Sequence, residues 1–100
     1  MKTYILEGIF QEGRPTGSAF QAHLKAHHQY LSKGFADGSI LFSGPVTNRE
    51  DCGGVIVVKS DDIEAFCRED PFVKNGVQTY RVLEFKLFDG QEGAKAWAGQ

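Results

Sequence analysis

His27 and Asp70 each break a local rule in a way that chemistry can use. Phe20, Leu24 and Leu31 recur at helical spacing and define an apolar stripe. His27 falls inside it, three residues after Leu24 and four before Leu31. Asp70 continues a second stripe, made by Ile63, Phe66 and Cys67. It also stands at the end of its helix, where the macrodipole disfavours a negative charge. Such breaks concentrate at functional or strained sites. If the two side chains meet, the carboxylate fixes the imidazole tautomer and raises its basicity. That is a route to a general base near neutral pH. Each residue also has a plain structural use. A lone inward histidine is commonly a hydrogen-bonded core residue, and an aspartate before proline commonly turns or caps the chain.

Other chemistry has less support. His23 and His27 lie one turn apart, a spacing that can hold a metal, but no third ligand accompanies them and no zincin glutamate lies between. No metal and no organic cofactor is expected. Ser43 lacks nucleophile-elbow glycines, and Gly13, Gly44-Pro45 and Gly53-Gly54 do not form a phosphate-cradling loop. Cys67 among apolar neighbours reads as a small core residue, and Cys52 in a polar stretch reads as a free thiol. His28 and Tyr30 flank the His27 stripe on either side, as pocket lining or amphipathic cover.

The elements that must position these residues follow from periodicity. Residues 3–10 alternate as a strand, with Tyr4, Leu6 and Phe10 on one face and Ile5 and Ile9 on the other. A Gly- and Pro-bearing loop leads to a helix over 20–35, with Thr16 or Ser18 as its cap and Gly34 to Gly38 as its end. Ser39 to Ser43 is a short strand closed by a Gly44-Pro45 turn, and Val46 to Gly54 is a loop. Val55 to Val58 is a β-branched strand apolar on both faces. Asp61 and Glu64 make a capping-box pattern for a second helix that stops near Asp70, because Pro71 disfavours helical geometry before it. Phe72 to Gly76 is a turn, and Val77 to Phe88 is a long last strand. The domain spans residues 1–88; residues 89–100 form a weakly patterned tail in which Trp97 has no assigned place.

The order strand, helix, strand, strand, helix, strand specifies an α+β, ferredoxin-like βαββαβ fold. Its four-stranded antiparallel sheet carries two helices on one face. Those helices cover one face only, yet three strands are apolar on both. Soluble monomers rarely leave such a patch bare, so a homodimer joined through its sheet faces is expected. The bulk numbers agree with one globular domain of 100 residues, 41% hydrophobic and 24% charged. A net charge of −2, with acids and bases interspersed, gives no electrostatic reason to expect nucleic acid or an anionic membrane. The opening Met-Lys-Thr-Tyr-Ile-Leu-Glu-Gly does not read as a signal peptide, and a cytoplasmic location is expected.

With these residues in view, the chain resembles the YCII-related (YciI-like) family. The resemblance runs from the first strand to Phe85. It is carried by Ala26-His27, by Gly38-Ser39-Ile40-Leu41-Phe42-Ser43-Gly44-Pro45, and by Asp70-Pro71-Phe72 with Gly76-Val77. It implies a dimeric α+β barrel and a His-Asp active site, with His27 and Asp70 in those roles. The residues expected to bind the substrate are His28, Tyr30, Ser43, Gly44, Pro45 and Phe72. One relative is a dehydrochlorinase acting on a chlorinated aromatic diol or triol, and muconolactone isomerases share the barrel. Two departures touch substrate anchoring. Leu24-Lys25 stands where relatives often carry Arg-Pro, and His28 stands where they are usually apolar.

The expected function is therefore acid–base chemistry on a small oxygenated molecule, aromatic or lactone in type, by elimination or isomerisation. The alternative is a non-catalytic binding or accessory module that uses the same cavity. A purely structural His-Asp hydrogen bond is the third reading.

Overall fold

The computed structural model describes residues 1–99. Strands β1 (Lys2–Phe10), β2 (Ile40–Pro45), β3 (Cys52–Ser60) and β4 (Gln78–Phe85) pair antiparallel in the order β2-β3-β1-β4. Helix α1 (Gly17–Ala36) joins β1 to β2. Helices α2 (Ile63–Glu69) and α3 (Pro71–Lys74) lie between β3 and β4, and α4 (Glu92–Ala98) follows β4. This is the α+β, ferredoxin-like arrangement expected from the element order.

Strand alternation puts Tyr4 and Leu6 of β1 beside Val58 and Ile56 of β3 on the helix side of the sheet. Ile40 and Leu31 complete that core. Leu6 and Val58 are sealed from solvent, and burying each side chain contributes about 1.5–3 kcal/mol. The second stripe, Ile63, Phe66 and Cys67, packs against the same cluster.

Several element ends differ from the sequence expectation, each for a local reason. Thr16 occupies the N-cap of α1 but its side chain makes no capping bond. Gly44-Pro45 is not a turn. Both residues stay in β2, where Pro45 pairs with Gly54. β2 is an edge strand, which tolerates a proline. A Cβ at Gly54 would come within 2.8 Å of the Gly44 carbonyl, so the close approach selects glycine. Cys52 to Gly54 accordingly belong to β3 rather than to a loop, and Cys52 is a buried free thiol. The cap of α2 is Asp62, one residue later than the capping-box pattern placed it; its carboxylate accepts the Ala65 N–H at 3.0 Å. The expected turn after Asp70 is the short helix α3, and β4 ends at Phe85 rather than Phe88.

The tail is fastened to the domain. Lys59, next to core residue Val58, points to the opposite face of the sheet. Its ammonium donates to the Trp97 carbonyl at 2.8 Å and sits 5.1 Å from the centre of the Trp97 ring. The Trp97 indole in turn donates to the Gly38 carbonyl at 2.7 Å. Helix α4 thus covers one end of the face that α1, α2 and α3 leave open. The remainder of that face still exposes Phe42 and Leu83. No helix among the described residues is long and apolar enough to cross a membrane.

Candidate functional site

The local sequence Asp70-Pro71-Phe72 builds one half of the site. Proline at 71 pushes Asp70 into extended geometry, φ −64° and ψ 126°, which ends α2. The same proline supplies the first residue of α3. Asp70 is therefore the C-cap of one helix and the N-cap of the next. Its Oδ1 accepts the Phe72 N–H at 3.0 Å, a capping bond. The unfavourable helix-end position read from the sequence is offset by this second, favourable one.

Helix α1 supplies the other half. His27 and Leu31 face inward together, and the His27 Nδ1–H lies 2.8 and 2.9 Å from the two Asp70 oxygens. The Tyr80 hydroxyl, from β4, donates to Asp70 Oδ2. Three donors and no acceptor converge on a carboxyl group that is 0% exposed. That is the surrounding a carboxylate requires, since an ionised carboxylate only accepts. With Nδ1 committed as a donor, the unprotonated nitrogen of the neutral ring is Nε2. Among the described residues Nε2 has no hydrogen-bond partner and is not sealed. The ring lies flat on Phe72, which stacks in turn on Phe20.

The negative charge of Asp70 is felt by its neighbours. Burial first, then that charge and the hydrogen bond to it, raise the Tyr80 hydroxyl far above the usual tyrosine range. Tyr80 therefore remains a donor at any ordinary pH. Burial, then Asp70, push the Tyr30 hydroxyl up to about 12 and the Cys67 thiol up to about 11.

His27 opens on a cavity of about 510 Å³ between α1, α3 and the sheet. Ser43, Gly44, Pro45 and Phe72 line it, as does His28. Tyr30 does not. Its hydroxyl donates to the Phe66 carbonyl at 2.7 Å, and its ring packs on Phe66, so it ties α1 to α2 instead. The cavity wall contains no Lys, Arg, Asp or Glu among the described residues; Phe10, Phe20 and Leu24 make much of it. His23 does not line the cavity, and no cluster of three or more His, Cys, Asp or Glu suited to a metal occurs among the described residues.

Two polar cavity residues escaped the sequence reading, Tyr80 and Gln78. Both sit at even positions of β4 that pair with Gly8 and Phe10, on the face shared with Leu6. A polar residue at a core-facing register was the available signal, the same kind that singled out His27.

A model of the YCII-related domain matches residues 4–86. The chain belongs to the YCII-related family. No curated protein matches it. The YCII-related segment contains the whole arrangement, from the β1 glycine that faces Tyr80 to Tyr80 itself, and leaves α4 outside.

Proposed function

We propose that the protein is an acid–base enzyme in which His27 Nε2 removes or returns a proton on a small neutral substrate held in the cavity. One observation carries this: the imidazole is clamped on its Nδ1 side by a buried carboxylate, and the ring borders a large uncharged hollow. Asp70 fixes the tautomer and would stabilise the imidazolium that forms when Nε2 takes the proton. Tyr80 and the Phe72 N–H hold Asp70 in turn. The stacked Phe20 and Phe72 rings suit a flat, apolar or aromatic body, while a wall without fixed cations offers no anchor for phosphate. Proton transfer coupled to elimination or isomerisation, as in a phenol or lactone, fits that lining.

The same proposal includes a second copy of the chain over the open sheet face and a reducing, cytoplasmic setting. Free Cys52 and Cys67 agree with the latter.

The test is proton exchange into D2O, followed by NMR on a panel of small phenols, ketones and lactones. Wild-type protein should accelerate exchange at one acidic C–H position. Folded His27→Ala should lose that acceleration. Equal exchange with and without the imidazole overturns the proposal, and ligand binding without any exchange leaves the cavity as a binding module.

A further inference from the structure

Gln78 is the second anomaly of the cavity. It opens β4, pairs with Phe10 of β1 and is only 2% exposed. Its Oε1 is the one buried side-chain oxygen or nitrogen among the described residues that has no hydrogen-bond partner. Leaving such an acceptor unmet costs on the order of 1–3 kcal/mol, and native interiors seldom tolerate it.

Two strands make room for it. A Cβ at Gly8 of β1 would come 2.5 Å from Oε1, and a Cβ at Gly53 of β3 would come 2.6 Å from it. The Gln78 amide lies in a slot that exists only because both neighbours are glycine. That slot is part of the cavity wall that also holds His27, and the amide adjoins the Tyr80 hydroxyl. The oxygen lies on the helix side of the sheet, the side that the cavity occupies, and no protein group there meets its acceptor capacity.

We infer that Gln78 is a specificity-determining residue, whose amide oxygen accepts a hydrogen bond from a hydroxyl or N–H of the ligand. This deepens the proposed function by naming a feature of the substrate, and rests on that reading for the ligand's place beside His27. A neutral amide in a wall without charged residues selects a neutral donor group over a methyl of the same size.

Phenol and toluene are matched probes, because they differ by that one replacement. NMR titration of the wild type should show phenol bound more tightly than toluene. In Gln78→Leu the preference should fall by about tenfold, the loss of one neutral hydrogen bond. The unliganded variant should melt at the same temperature or higher, since an unmet acceptor is gone. If Gln78→Leu fails to fold, Gln78→Met keeps the length and should show the same loss. Phenol that fails to bind at millimolar concentration, or a preference for phenol that survives either variant, overturns the inference. His27→Ala separates the two claims. A Gln78-dependent preference found alongside exchange that is equal in the wild type and in His27→Ala upholds Gln78 and sinks only the catalytic proposal.

Discussion

The His27 ring stacks on the Phe72 ring, with centroids 4.2 Å apart and planes within 4° of parallel. Phe72 follows Asp70 by two residues, so one tripeptide provides both the acceptor that fixes the imidazole edge and the surface that fixes its face. Rotation about the Cβ–Cγ bond would break both contacts together. Such a two-point hold is what a positioned base needs, because misplacement by about 1 Å can cost 10²-fold in rate. Pro71 between them is what turns the carboxylate and the phenyl ring toward the same imidazole.

Asp70→Asn is expected to hurt both stability and rate. The carboxamide brings an N–H₂ into a pocket that already holds three donors, so at least one donor must face another. A loss of about 2–4 kcal/mol should appear in urea unfolding at pH 7. Turnover, where detected, should fall by about 10²–10⁴. A variant as stable and as active as wild type would show that the carboxylate does neither job.

Alkaline pH should reveal the tyrosines that adjoin Asp70. Tyr30 and Tyr80 are both raised from 10.0, Tyr30 to about 12, by burial and then by the Asp70 charge. A raised folded value means that the stabilisation is complete below the unfolded value of 10.0 and is lost as pH climbs through the folded one. On top of a decline from about pH 9 set by Cys67, raised from 9.0 to about 11, the tyrosine contribution should therefore decline from about pH 10 upward. Tyr80→Phe should flatten that decline and lower stability at pH 7 by about 1–3 kcal/mol, because Asp70 loses a donor. Denaturant midpoints across pH 8 to 12 would measure both effects.

What the sequence disclosed and what it withheld divide along physical lines. His27 and Asp70 were visible because a polar residue in a 3.6-residue apolar period is a contrast carried by the chain itself. The strands and α1 were visible for the same reason. Helix α3 was not: four residues contain no full period, and the capping role of Asp70 depends on where the Phe72 N–H points. Cys52 to Gly54 read as a loop because glycine weakens strand propensity, whereas the pairing of Gly54 with Pro45 of β2 and of Cys52 with Ile9 of β1 is a tertiary fact. Helix α4 has Trp97 as its main anchor, and the Gly38 carbonyl that receives it lies 59 positions away in sequence. Tyr30 shows the opposite error. A tyrosine near His27 on the same helix looked like pocket lining, but a hydroxyl can also serve as a clasp between helices.

Gly34→Ala is a case where helix propensity gives the wrong sign. Alanine in a helix interior ordinarily gains about 1 kcal/mol over glycine. Here the added Cβ would lie 2.6 Å from Ile40 Cγ1 and 3.3 Å from Ser39 Oγ, with Ile40 4% exposed in the core. Overpacking of that kind costs about 1–3 kcal/mol. The clash should win, and the variant should melt below wild type. A higher melting temperature would show that α1 can shift off β2.

Trp97→Ala tests whether α4 belongs to the fold. The change removes the hydrogen bond to the Gly38 carbonyl and the ring beside the Lys59 ammonium. Together these should cost about 1–2 kcal/mol. For a domain of this size that is roughly 4–8 °C of melting temperature per kcal/mol. The cavity lies on the other face of the sheet, so ligand binding should be unchanged. Unaltered melting would mean that α4 rests on the sheet without stabilising it.

The open sheet face carries an apolar row that crosses every strand. Phe42 pairs with Val57, Val57 with Ile5, and Ile5 with Leu83, so four side chains from β2, β3, β1 and β4 line up on the side away from α1. Phe42 is 56% exposed and Leu83 47% exposed at the two ends, although α4 already shields the Lys59 end of the face. A stable dimer typically buries about 800 Å² per partner, and a row of this width on a twisted sheet is suited to a second copy of itself. Sedimentation should find a dimer at micromolar concentration. Leu83→Asp and Phe42→Asp should each yield a folded monomer, because both positions are exposed enough in the single chain for the charge to stay hydrated. A wild-type protein that sediments as a monomer would remove the sheet-to-sheet dimer, while the His27–Asp70 pair, built wholly within one chain, would stand.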